Sequence, residues 1–465
     1  MNAPFVWILL PLAVAAFTLL LRAERTILIL GVATSIFLAV LALLVPIDVA
    51  ILVGPLSFKL ESSLGILGRS FTLAESDGAL LAIIYGLAAI WFLGADALGL
   101  TRRLIPVGLA MLALLVASTA VQPFLYAALL IEIAILLAVP MLLPLNQTPG
   151  RGLTRFLIYQ TLAMPFILFA GWLLSGVETS PGDAVLTAQA TSMLAVGFAF
   201  LLGVFPLYTW IPALMEEASP YLVAFLLWIL PQTTIFFLMS FIDRYIFLRG
   251  SLELPGLLRA MGLTMIVTAG IWAAFQTHLG RMFGYFIVAE IGTMLVALGL
   301  GTSTGTQAIF LQLIPRGLTM LLWALCLSIL RTQVETPRFS QVQGAIRVMP
   351  FAAAGVAFAS LASAGFPLLA NFPSRLLMME GLASLSLGQL IALLAGILGL
   401  LTGAIRTLAV FVMAPAEVAW ESRESRVHAI FILAGMAALF LLGLFPQILR
   451  PLIAELPSLF EHLGR

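Results

Sequence analysis

From Pro220 to Ile242 the chain reads PYLVAFLLWILPQTTIFFLMSFI, with no charged side chain anywhere in the run. A helix that crosses a bilayer needs about 20 such residues. Runs of this kind recur between clusters of charge or turn residues, and they predict about 14 spans. These fall at 4–21, 27–46, 78–96, 104–121, 124–145, 154–176, 189–211, 219–242, 256–276, 282–301, 307–330, 349–382 (interrupted), 387–413 and 428–448. Only 9% of the residues are charged and 62% are hydrophobic, whereas a soluble domain carries roughly 25% charged residues. No aqueous surface can be built from this sequence, so the expected fold class is an all-α integral membrane protein. The segment 51–77 alternates with turn residues between its halves and reads as an extramembrane hairpin. The apolar N-terminus lacks the basic region of a signal peptide and reads as the first span.

Several kinds of chemistry are excluded. One cysteine, Cys326, supports neither a disulfide framework nor a Cys-ligated cluster. The histidines His278, His428 and His462 lie near predicted helix ends or in the tail, so no intramembrane pair is available for a haem. No dinucleotide or nucleoside-triphosphate phosphate loop is found. The expectation is therefore no catalytic centre, no cofactor and no metal, with any redox step left to another subunit. Twelve arginines lie in the odd-numbered connections, against seven basic residues, Arg465 included, in the even-numbered ones and the termini. This bias places both termini away from the cytoplasm.

Two runs are interrupted alike. VFPLYTWIP (Val204–Pro212) and GFPLLANFP (Gly365–Pro373) each hold Phe-Pro-Leu, four further residues and a second proline. The four breaking prolines are Pro206, Pro212, Pro367 and Pro373. Paired broken spans at matching points of two halves point to an inverted-repeat transporter, although proline is also tolerated in ordinary membrane helices.

Ionisable residues at bilayer depth are few. Glu132 lies near the middle of the fifth span. Glu290 precedes Thr304 by 14 residues and Arg316 follows it by 12, so across a helical hairpin they sit within about 3 Å in depth. Arg375 and Glu380 follow the second break, and Arg406 lies in the thirteenth span near its end, where it can snorkel. Glu216 and Glu217 follow the first break and are expected to be solvated. Buried charges of this kind form either a proton relay or structural ion pairs.

Three stretches carry a family resemblance. GFAFLLGVFPLYTWIPALMEEASP (Gly197–Pro220), HLGRMFGYFIVAEIG (His278–Gly292) and ASAGFPLLANFPSRLLMMEG (Ala362–Gly381) resemble the signatures of the antiporter-like membrane subunits of respiratory complex I and of Mrp-type sodium/proton antiporters. The resemblance covers roughly residues 75–415. It implies two inverted five-helix repeats, with a proton path along a fifth-span glutamate and lysines on the seventh, eighth and twelfth spans. Carried over, the glutamate matches Glu132, while the lysines fall on Leu201, Gln232 and Arg375. The family's histidine after its Ala-Tyr-Ser-Ser motif falls on Glu290. Its eleventh-span His and Lys fall on Pro315 and Thr319, next to Arg316, and the Asp and His flanking the first break fall on Ala213 and Tyr208. Lys59, in the hairpin, is the one lysine of the whole chain.

The expected organisation is N-terminal helices with the hairpin (1–103), a first repeat (104–242), a second repeat (256–413), and a C-terminal helix and tail (414–465). The expected path runs through Glu132, Gln232, Glu290, Arg316, Arg375 and Glu380. Three functions stay open: a subunit translocating protons or cations in a complex-I-related assembly, a non-conducting paralogue that braces such an assembly, or a stand-alone ion or solute transporter. Expected partners are other membrane subunits, the bilayer and protons or monovalent cations, with no nucleic acid. The expected location is the bacterial inner membrane.

Overall fold

A computed structural model of the chain describes residues 2–53, 56–66, 68–143, 148–179, 183–334, 336–413, 420–460 and 462–463. Arg465 and parts of the C-terminal tail lie outside the described residues, as do 54–55 and 67 of the expected hairpin and 144–145 of the fifth expected span.

The protein is an all-α integral membrane protein. Hydrocarbon offers no hydrogen bonds to the backbone, so apolar runs must satisfy their own N–H and C=O groups as helices. The main helices are α1 (Leu10–Leu20), α2 (Glu24–Leu44), α3 (Gly78–Ala97), α4 (Thr101–Ala120), α5 (Ala127–Leu142), α6 (Arg151–Thr179), α7 (Ala184–Leu202), α8 (Trp210–Glu217) and α9 (Pro220–Arg244). They continue with α10 (Leu254–Phe275), α11 (Leu279–Gly299), α12 (Ser303–Leu311), α13 (Leu313–Leu330), α14 (Pro350–Ala364), α15 (Phe372–Leu385), α16 (Leu387–Val412) and α17 (Arg426–Leu444). Among the described residues twelve helical segments are long and apolar enough to cross a membrane, and Phe5–Leu20 and α14 are shorter apolar helices. The eleventh expected span begins earlier, at Ser303, and is offset at Gln312 into α12 and α13.

The expected hairpin is two consecutive hairpins. β1 (Ala50–Val53) pairs antiparallel with β2 (Leu56–Lys59), and β3 (Ser63–Ile66) with β4 (Arg69–Thr72). A short β5 (Val121–Gln122), after α4, adds to the edge of β4.

α9, the uncharged run Pro220–Ile242 and its end, is the axis of the bundle. Proline at its first position is pre-set for a helix start, and its apolar window is wholly buried. It packs against α4, α5, α7, α11 and α13. Its first turns hold an aromatic block, in which Trp228 stacks on Trp91 at 5.9 Å and Tyr221 donates to the Trp91 carbonyl at 2.7 Å. α2, α16 and α17 lie mostly exposed at the periphery, where their apolar faces meet lipid. α10 and α11 approach closely because neither Gly262 nor Gly292 carries a side chain: a Cβ on Gly262 would lie 2.4 Å from the Gly292 carbonyl oxygen.

Candidate ion-handling site

Both proline breaks use one backbone device. α7 ends at Gly203 (φ 59°) and α14 at Gly365 (φ 81°), each in the left-handed region that glycine tolerates. The following N–H bonds back five residues, Val204 to the Ala199 carbonyl at 2.9 Å and Phe366 to the Leu361 carbonyl at 3.0 Å, as in a Schellman ending. Pro206 and Pro367 lie within the breaks, and Pro212 and Pro373 near the starts of α8 and α15.

A side chain then clasps the carbonyl two residues before each glycine. At the first break Gln160 Nε2, on α6, donates to the Leu201 carbonyl at 3.0 Å. At the second, Arg375 Nη2 donates to the Ser363 carbonyl at 3.3 Å. Gln160 and Ser363 carried no signal in the sequence beyond their polarity in apolar runs.

The second clasp belongs to a buried charge cluster. Glu290 (α11), Arg316 (α13) and Arg375 (α15) are 3%, 2% and 3% exposed, so their heads are out of reach of lipid headgroups. Glu290 Oε1 accepts from Ser363 Oγ at 2.5 Å. Its Oε2 lies 3.2 Å from Arg316 Nε, an ion pair by distance without hydrogen-bond alignment. The arginine's other two nitrogens donate to backbone, Nη2 to the Leu227 carbonyl and Nη1 to the Trp228 carbonyl, both at 2.7 Å. Pro231 explains why Leu227 is available: having no N–H, it leaves the carbonyl four residues earlier without its helical partner. The hairpin arithmetic from Glu290 and Arg316 thus ends in a direct contact, anchored on α9.

The remaining expected path residues lie differently. Gln232, one residue past Pro231, is buried in a cavity with Leu80, Leu87, Trp228 and Leu313, and neither amide atom has a partner among the described residues. Glu132 lies at the edge of the half-exposed face of α5 that carries Ile133 and Leu136, accepting from Thr161 Oγ1 at 2.9 Å, while its Oε2 is buried without a partner among the described residues. Glu380 is exposed and Leu201 is buried. Asn371 Nδ2, in the second break, donates to Thr319 Oγ1 at 3.3 Å. Arg406 caps the end of α10, donating to the carbonyls of Ala274 and Gln276.

The family described as NADH:quinone oxidoreductase/Mrp antiporter, transmembrane, matches residues 183–402, which contain both breaks and the whole charge cluster. Over these residues the chain is similar to the antiporter-like members of that family. Among curated relatives it is 26% identical over 242 residues to NAD(P)H-quinone oxidoreductase chain 4 1 of Synechococcus sp. (strain JA-2-3B'a(2-13)), covering 50% of this chain and 46% of the relative. It is 27% identical over 252 residues to NAD(P)H-quinone oxidoreductase chain 4 3 of Trichormus variabilis, covering 50% and 45%. The match thus spans a little under half the length of these relatives. The fold agrees over nearly the whole chain with one chain of the Mrp complex from Dietzia sp. (TM-score 0.84, 16% identity, 99% of this chain and 97% of the other). It also agrees with a chain of respiratory complex I from Thermus thermophilus (0.78, 19%, 99% and 100%) and one of the archaeal membrane-bound sulfane sulfur reductase (0.82, 16%, 99% and 98%).

In this antiporter-like chain Glu216 and Glu217, expected to be solvated, both have partners. Glu216 pairs with Arg281 at the start of α11, and Glu217 Oε2 accepts from the Gly152 N–H at 2.7 Å in the first turn of α6. A carboxylate at a helix N-terminus is stabilised by the free N–H groups and the helix dipole. His278, buried at the N-cap of α11, accepts from the Arg281 N–H. Burial pulls its imidazole below the usual histidine range, with Glu216 opposing.

Proposed function

We propose that this chain is a proton- or cation-translocating antiporter-like subunit of a complex-I-related energy-converting assembly, with its proton-loading group moved onto Glu290. The observation that carries this reading is the placement of one fully buried carboxylate between a hydroxyl donor and a guanidinium, beside a broken helix. A carboxylate there takes a proton when its basic neighbour withdraws and gives it up when the neighbour returns. Arg316 has somewhere to withdraw to, because it already holds the Leu227 and Trp228 carbonyls. Gln232, on the next turn of α9, can order water toward Glu290, and Ser363 can pass a proton toward the second break. Arg375 stands where the family resemblance implies a lysine. A guanidinium keeps its proton at any accessible pH, so Arg375 biases Glu290 without relaying.

The two halves, 104–242 and 256–413, form the inverted repeats of this reading, within about 14 spans. The subunit sits in a bacterial inner membrane with both termini on the non-cytoplasmic side and other membrane subunits beside it. Glu132, on its half-exposed face, faces one of those neighbours, and Glu380 lies at the end of the path.

A second reading, a bracing paralogue that does not conduct, is favoured by Leu201, an apolar residue at the first break. Potential-driven proton uptake in vesicles separates the two. Glu290→Gln is expected to lower uptake by about a hundredfold or more, the lower end of what a positioned acid–base group contributes. Uptake equal in wild type and Glu290→Gln would overturn the translocating reading, and normal pumping by the remaining subunits after the chain's deletion, with loss of assembly, would support the brace.

A further inference from the structure

The second break buries two guanidiniums with one carboxylate. Glu290 is the one acidic group whose field reaches Arg316 or Arg375 among the described residues. Glu380, on the same helix as Arg375, is exposed. The polar neighbours from the other packed elements are neutral: Ser363 on α14, Thr319 on α13, and Asn371 and Ser374 at the start of α15.

The hydrogen bonding assigns the excess charge to one residue. Glu290 is committed to Ser363 and Arg316, and Arg316 turns its remaining nitrogens onto two carbonyls. Arg375 uses Nη2 on the Ser363 carbonyl, while its buried Nε and Nη1 have no partner among the described residues. A buried lysine in this position could discharge by losing its proton, but arginine cannot. An uncompensated ion at such depth costs several kcal/mol, and a counter-ion is the remedy that leaves the guanidinium charged.

We propose that Arg375 binds a small monovalent inorganic anion of the chloride class, held at the second break as counter-ion to the Glu290–Arg316–Arg375 cluster. A cation is refused by the net positive charge. Phosphate and sulfate are disfavoured by their higher charge and stronger hydration, which make desolvation at this depth costlier than for a monovalent halide. The inference goes beyond ion translocation and holds whether or not the chain conducts protons.

The test is an equilibrium one, without a gradient, so its outcome is independent of the uptake assay. The full chain, purified in gluconate without halide, is titrated with chloride and in parallel with bromide at constant sodium and ionic strength, and thermal unfolding is followed. A ligand that binds the folded state alone raises the midpoint with the logarithm of its concentration. Wild type is expected to show that rise, and Arg375→Gln to lose it. Glu290→Gln, nearly isosteric, removes the one internal counter-charge and is expected to tighten the apparent halide affinity by about tenfold. Misfolding cannot imitate that gain. A wild-type midpoint indifferent to halide, or a Glu290→Gln variant that binds halide more weakly than wild type, would overturn the proposal.

Discussion

The two breaks share a backbone and differ in chemistry. Each ends a helix on a left-handed glycine, bonds the next N–H back five residues, and has the carbonyl two before the glycine clasped by a side chain. At the first break the clasp is the neutral amide of Gln160; at the second it is the guanidinium of Arg375, with Glu290 and Arg316 behind it. Opening a helix inside the membrane therefore needs the local turn and one donor for the freed carbonyl, not a charge. The charges at the second break are an addition to that device. In the first half the same architecture is closed by apolar packing around Leu201, which suits a part that positions rather than one that carries protons.

The largest expected difference between the breaks lies in removing a clasp or its support. Arg316→Ala leaves the Glu290 carboxylate buried without its ion-pair partner and returns the Leu227 carbonyl to an unpaired state. Loss of about 3–5 kcal/mol is expected, the usual consequence of breaking one side of a buried pair. The neutral counterpart, Gln160→Ala, orphans one carbonyl and costs about 1–3 kcal/mol. Denaturant titration of both variants in one detergent checks the order. Equal losses would mean that the charges at the second break are screened by water and that the contrast drawn here is false.

The glycines sharpen the comparison at smaller scale. An alanine in the left-handed region costs about 1–2 kcal/mol at either break. At Gly365 the added Cβ would also lie 2.7 Å from Arg375 Cγ, whereas at Gly203 the nearest atom, Trp210 Nε1, is 3.3 Å away. Gly365→Ala is thus expected to destabilise more than Gly203→Ala, and Arg375→Ala, which removes the Cγ and Cδ, to narrow the gap. A gap that persists unchanged in the double variant would show that Arg375 does not press on the glycine.

Much of this was legible in the sequence because one physical rule dominates it: in hydrocarbon, apolar runs become helices, and the exceptions stand out. The two Phe-Pro-Leu breaks, the span that becomes α9 and the Glu290–Arg316 contact all follow from runs, prolines and rise per residue. The elements that escaped depend on neighbours distant in the chain. Gln160 and Ser363 are ordinary polar residues until folding places them beside Leu201 and Glu290. Glu217 is exposed, as expected, but its acceptor role needs the start of α6, 65 residues earlier. Packing also decides which way Glu132 turns: it meets Thr161 on α6, and its Oε2 is buried.

The smallest expected effect concerns the membrane surface below the first break, where α11 begins. His278 is buried there, with its pKa lowered mainly by desolvation, and Arg331, Arg338 and Arg281 add to the lowering while Glu216 opposes it. The folded protein therefore prefers the neutral imidazole more than the unfolded chain does. In the unfolded chain histidine takes up its proton near about pH 6.5, so as pH falls below that value the unfolded state binds more protons and folding loses stability. Above it the group contributes no pH dependence. Replacing His278 with Gln, which keeps an acceptor for the Arg281 N–H, is expected to flatten the slope of the unfolding midpoint between pH 6.5 and the lowered folded value. The first and second breaks differ here too, because no histidine lies in the charge cluster of the second. A slope that survives unchanged in His278→Gln would trace the titration to another group.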